Sequence, residues 1–109
     1  CIRDSYDAYH RIAPVDDHTG ETEITCDIVG PVCETGDFLA KDVRLPPVKA
    51  GDLLAVYSAG AYGAVQSSTY NSRLLVPEVL VNGGEFAIVR GRPSYDDLIG
   101  LDTVPGWLA

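Results

Sequence analysis

The sequence predicts a mainly-β domain, built as a barrel or sandwich with short helices near both ends. EITCDIV, residues 23–29, alternates apolar and polar side chains as a half-buried strand does. EVLV and EFAIVRG flank Asn82-Gly83-Gly84, a strong hairpin signal because Asn-Gly favours positive φ. Turn formers recur between the other short apolar runs, at Gly30-Pro31, Pro46-Pro47 and Gly51-Asp52.

Taken in order, DSYDAYHR (4–11) reads as a short helix, with Tyr6, Tyr9 and His10 on one face and Pro14 ending it. In the strand 23–29, Ile24, Cys26 and Ile28 face one way, which makes Cys26 a small core residue. Gly30-Pro31 breaks that strand and delivers Cys33 to a loop. FLAKDV (38–43) is a second strand, RLPPVKAGD (44–52) a connector and DLLAVYS (52–58) a third strand. SAGAYGAVQSSTYNS (58–72) has no clear period, and its small residues let a backbone come close to a ligand or another chain. After the hairpin, SYDDLIG (94–100) carries a Ser-x-x-Asp capping pattern and predicts a short helix. Val104, Trp107 and Leu108 form an apolar tail that needs a surface to dock on.

A length of 109 residues suits one domain spanning the chain, with a single modest core. The net charge of −8, with Lys41 and Lys49 the only lysines, argues against nucleic acid or an anionic membrane as partner. No apolar run approaches the roughly 20 residues of a membrane span. The three cysteines, Cys1, Cys26 and Cys33, form no CxxC pair. That pattern disfavours a disulfide framework or structural zinc and fits a reducing, cytoplasmic setting. The two histidines, His10 and His18, complete no metal-ligand spacing, and His10 is expected to pack beside Tyr6. The sequence contains no methionine, even at position 1, so a processed product or a piece of something longer is expected.

GPVCETGD (30–37) sets a thiol and a carboxylate side by side between turn formers. From the residues alone, a packing cysteine and a surface acid are the ordinary fates of such side chains. The extended motif GPVCETGDFLAKD (30–42), however, resembles the C-terminal domain signature of the diaminopimelate decarboxylases. These are fold-type III, pyridoxal-phosphate-dependent carboxy-lyases of lysine biosynthesis. YDAYHRIAPV (6–15), GDLLAVYSAGAYG (51–63), SSTYNSR (67–73), PEVLVNGG (77–84) and SYDDL (94–98) continue the resemblance in the same order.

The resemblance implies a C-terminal β-domain without the N-terminal β/α barrel that carries the Schiff-base lysine and phosphate loop. Pyridoxal 5′-phosphate is then the cofactor of the whole enzyme and is not expected on this chain by itself. A homodimer is implied, with the Cys-Glu loop of one chain reaching the cofactor of the other. Cys33 matches the family's proton donor to Cα. Thiols ordinarily titrate near ~8.5, so they carry a proton at neutral pH and can act as general acids. Glu34 matches the glutamate that faces the distal ammonium of diaminopimelate, a charge-assisted pairing. Tyr62 matches a tyrosine that contacts both cofactor phosphate and substrate, and Tyr6 a further substrate-contacting tyrosine. The family's arginine four residues before that tyrosine falls on Ile2 here, with Arg3 one position later, which leaves the arginine's place open. Asn71 and Arg73 are given no chemistry. Two other readings stay open: a stand-alone β module for dimerisation or interaction, and a fragment of a decarboxylase for a related basic amino acid.

Overall fold

In the computed structural model, which describes residues 9–16 and 20–108, antiparallel pairing dominates. Strands β1 (Ile12–Pro14), β2 (Ile24–Val29), β3 (Phe38–Leu45) and β4 (Leu54–Val56) are followed by helix α1 (Gly60–Val65). Strands β5 (Glu78–Asn82) and β6 (Glu85–Arg90) precede helix α2 (Tyr95–Ile99). The strands form three two-stranded antiparallel sheets, β1–β4, β2–β3 and β5–β6. The mainly-β expectation holds, but no closed barrel forms among the described residues. Closure needs each strand hydrogen-bonded on both sides, and among the described residues every strand has one partner. The chain clusters into two units, Cys1–Gln66 and Ser67–Ala109.

In the first unit, β2 and β3 carry the clearest sequence-to-structure logic. Cys26 and Ile28 are half-buried while Thr25 and Asp27 are exposed, as the alternation requires, although Ile24 is exposed. On β3 the inward set changes phase: Phe38 and Ala40 face in, then Val43 and Leu45. A bulge makes that switch, for the pairing steps from Cys26↔Val43 to Ile28↔Ala40. Asp42 takes φ of 53°, and its N–H donates to Asp27 Oδ1 at 2.9 Å. The Asp27 side chain thus replaces a ladder bond where the extra residue interrupts pairing. Without the bulge, Arg44 rather than Leu45 would face inward. Leu45, Ala40 and Ile12 are the buried apolar residues among those described. Burying Leu45 contributes about 1.5–3 kcal/mol. Arg44 and Leu45, expected in the connector, therefore belong to the strand.

The helix expected over 4–11 lies largely outside the described residues, and residues 9–11 are not helical. Pro14 ends no helix; it closes β1 opposite Leu54. The β1–β4 ladder extends outward through Tyr57 N–H to Arg11 O at 2.9 Å and Val15 N–H to Leu53 O at 2.9 Å. His10 Nδ1 donates to the Tyr57 carbonyl at 3.0 Å, and the Arg11 guanidinium stands 4.9 Å from the Tyr57 ring centroid. Tyr6, the expected neighbour of His10, lies outside the described residues. The segment 58–72, read as irregular, contains α1. Ser58, with φ of 55°, turns the chain out of β4 into this helix, which has no side-chain N-cap.

In the second unit, Asn71 and Ser72 have φ of 54° and 55°, and Arg73 N–H donates to Tyr70 O at 3.3 Å. Positive φ at both central residues is the geometry of a type I′ turn. The β5–β6 hairpin turns at Gly83-Gly84, between paired Asn82 and Glu85, with φ of 59° at Gly83. Glu78 and Arg90 close its open end with an ion pair of 3.0 Å. Its apolar side chains stay exposed, including Phe86 at 75%, Ile88 at 66% and Val81 at 66%.

Helix α2 bears out the capping pattern. Asp97 N–H donates to Ser94 Oγ at 3.1 Å, and Ser94 N–H donates to Asp97 Oδ2 at 2.7 Å. The Ser94 backbone N–H, and then the Ser94 hydroxyl, hold the Asp97 carboxyl below its ordinary value of 3.8. A lowered folded-state pKa means the carboxylate's support is complete above the unfolded value and is lost as pH falls through the folded one. Helix α2 should therefore be fully capped above pH 3.8 and loosen below it. Amide chemical shifts of Tyr95–Ile99 in an acid titration check this, and Asp97→Asn should flatten that acid step.

Candidate functional site

The loop between β2 and β3, residues 30–37, holds Cys33 and Glu34 together, both exposed. Gly30 N–H donates to Asp37 O at 2.8 Å, closing the base of the loop. Within it, Glu34 N–H donates to Val32 O at 2.8 Å, a tight turn centred on Cys33. Asp37 N–H donates to Glu34 O at 3.0 Å and Phe38 N–H to Gly36 O at 2.9 Å. The loop is thus shaped by its own backbone, and the thiol is carried at its outer side rather than packed in a core.

The Glu34 carboxylate folds back over the same loop. Its Oε1 accepts from Thr35 Oγ1 at 3.3 Å and from Gly36 N–H at 3.4 Å. Both bonds are long, so a charge-assisted bond from an incoming ammonium, near 2.7–2.9 Å, would displace them readily. Cys33 and Glu34 therefore offer a thiol and a carboxylate side by side on one exposed rim.

Tyr62 stands in α1 of the same unit and is 57% exposed. Gly60 and Gly63 flank it, and a Cβ built at Gly60 would meet nothing within 4 Å. The phenol is therefore on an accessible stretch of small residues, as the AGAYG motif suggested. Tyr6 falls outside the described residues.

A cleft of about 580 Å³ runs along β1 and β3, lined by residues that include His10, Arg11, Glu23, Lys41 and Arg44. None of Cys33, Glu34 and Tyr62 lines it. Concavity is the usual mark of a small-molecule site, yet the chemically suggestive residues sit on open surface. Among the described residues, no group of three or more His, Cys, Asp and Glu is placed to hold a metal ion. Among them too, no helix is long and apolar enough to cross a membrane.

The sequence reading missed Gly30 and Asp37. By type both are turn formers, yet Asp37 also accepts across five residues from the Val32 N–H. The signal was an Asp at the end of a glycine-bounded loop, where a short carboxylate reaches neighbouring N–H groups.

Residues 2–60 match the family model described as the pyridoxal-dependent decarboxylase C-terminal sheet domain. The chain is 48% identical over 103 residues to a diaminopimelate decarboxylase of Archaeoglobus fulgidus, covering 94% of this chain and 25% of that protein. It is 50% identical over 103 residues to the diaminopimelate decarboxylase of Zymomonas mobilis, covering 94% and 24%. The crystal structure of diaminopimelate decarboxylase from M. jannaschii in co-complex with L-lysine superposes with a TM-score of 0.88 at 34% identity. That match covers 98% of this chain and 24% of the other. The chain spans about a quarter of the length of the relatives it matches.

Proposed function

Because this chain belongs to the pyridoxal-dependent decarboxylases, as their C-terminal sheet domain, we propose that it is the β-domain of a diaminopimelate decarboxylase. The full-length protein would convert meso-2,6-diaminopimelate to L-lysine and CO₂. The observation that carries the proposal is the exposed GPVCETGD loop, which presents a thiol and a carboxylate on one backbone-braced turn.

The residues fit pyridoxal phosphate as one side of its site. Tyr62 supplies a phenol that can donate to a phosphate oxygen, and Gly60 beside it leaves room for close approach. The carbonyl-binding lysine is not assigned to Lys41 or Lys49: neither lies in a motif matching the family's, and Lys41 Nζ stands 4.1 Å from the Phe38 ring centroid. That lysine is assigned to the rest of the polypeptide, which makes up about three quarters of the relatives' length.

Pyridoxal phosphate, when bound, serves as the electron sink for loss of CO₂. The residues of this chain do the rest of their work on the substrate. The Cys33 thiol gives its proton to Cα after CO₂ has left. The Glu34 carboxylate holds the distal ammonium and so sets which end of the substrate reacts. Tyr62 grips the phosphate side. The open position of Cys33 and Glu34 supports a homodimer in which the loop of one copy completes the site of the other. The exposed apolar β5–β6 hairpin supports packing against further strands, which would complete a barrel or sandwich. Free Cys26 and Cys33 suit the reducing cytoplasm.

The test compares the full-length polypeptide with this 109-residue chain, each supplied with cofactor and meso-diaminopimelate. Lysine and CO₂ should form with the first and not with the second. Turnover by the short chain would overturn the shared-site reading. Full-length protein that decarboxylates ornithine or arginine but not diaminopimelate would move the assignment to a related basic amino acid.

A further inference from the structure

Asp37 stands half-buried at the end of the loop. Its Oδ2 accepts from Val32 N–H at 2.6 Å, a part-buried bond that spans Cys33 and Glu34. Its carbonyl accepts from Gly30 N–H, and its own N–H donates to Glu34 O. One residue thus ties the entry of the loop, at Gly30 and Val32, to its middle, at Glu34. Gly30 completes the arrangement: a Cβ there would overlap the Asp37 carboxylate. The carboxylate therefore lies directly against the Gly30 backbone, and only glycine leaves it that place.

We propose that Asp37, seated on Gly30, is a positioning residue that fixes the Cys33 thiol and the Glu34 carboxylate in register with the substrate. The inference rests on the roles given above to Cys33 and Glu34. Val32 is the residue immediately before Cys33, so pinning its N–H sets the backbone from which the thiol projects. The bond to Glu34 O fixes the far side of the same turn. A proton donor is effective only when it is held at hydrogen-bond distance from the accepting carbon, and a displacement of about 1 Å can cost ~10²-fold in rate. The Asp37 carboxylate meets substrate nowhere in this scheme; it acts through the backbone of its neighbours.

The test uses the full-length, cofactor-loaded enzyme with Asp37→Ala, Asp37→Asn, Gly30→Ala and Cys33→Ala, alone and paired. Asp37→Ala should lower kcat by about 10²-fold, with cofactor content unchanged. Asp37→Asn keeps an oxygen that can accept from Val32 N–H and should restore most of the rate. Gly30→Ala should mimic Asp37→Ala, because it displaces the carboxylate without removing it. In the Cys33→Ala background, Asp37→Ala should cost little further kcat, since no thiol is left to place. A merely structural role would not give that loss of additivity. If Asp37→Ala fails to fold, the contrast between Asp37→Asn and Gly30→Ala decides. Asp37→Asn as slow as Cys33→Ala, Gly30→Ala at full rate, or additive losses with Cys33→Ala would each overturn the proposal. Full turnover by Cys33→Ala alone would instead overturn the proton-donor assignment on which it rests.

Discussion

Cys33→Ala in the full-length enzyme is expected to lower kcat by about 10²–10⁴-fold, the usual range for losing a positioned general acid. The loop should survive the change. Its shape comes from the bonds of Glu34 N–H to Val32 O, Asp37 N–H to Glu34 O and Gly30 N–H to Asp37 O, none of which uses the thiol. Cofactor loading, read from its visible absorbance, should therefore match the parent enzyme. Substrate affinity should change little, because in the proposed role the thiol acts after CO₂ has departed. Because the step it serves follows the loss of CO₂, the signature is a fall in kcat with a parallel fall in KM, so that kcat/KM changes far less. Cys33→Ser retains a donor of much weaker acidity and should fall between the two. Turnover at the parent rate in Cys33→Ala would remove this residue from the mechanism.

Some of this was legible in the sequence because local rules agreed. EITCDIV became β2 because its alternation matches the pleat, and Ser94 and Asp97 became a capping box because both partners lie within one turn. The phase change in β3 was not legible, although FLAKDVRL shows it in retrospect. It depends on Asp42 adopting φ of 53° and on Asp27, from the other strand, taking its N–H. Helix α1 escaped notice because Gly60 and Gly63 are poor helix formers, and its start depends on the left-handed Ser58. Strands and turns pointed to a barrel or sandwich, but the choice between them depends on partners for every edge, which no local pattern states. At the site, Cys33 and Glu34 stood out through their motif. The clasp beneath them did not, because a glycine kept vacant for a carboxylate seven positions later leaves no periodic signal.

Glu34→Gln should raise KM for diaminopimelate and lower kcat/KM by about tenfold to a hundredfold. A hydrogen bond to a charged group contributes about 1.5–3 kcal/mol, and each 1.4 kcal/mol is tenfold. Glutamine preserves the length of the side chain and an oxygen for Gly36 N–H, which now reaches Glu34 Oε1 at 3.4 Å. The loop and Cys33 beside it should hold their places, so the change isolates charge. If the carboxylate grips the distal ammonium, the penalty must depend on that ammonium being present. An analogue lacking the distal amino group should react slowly with the parent enzyme and no more slowly with Glu34→Gln. The two changes together then cost less than the sum of each, the coupling that a direct contact produces. Equal losses on both substrates would place Glu34 elsewhere, as a brace for the turn rather than a grip on the substrate. In that case the choice of diaminopimelate over other basic amino acids would have to come from outside this loop.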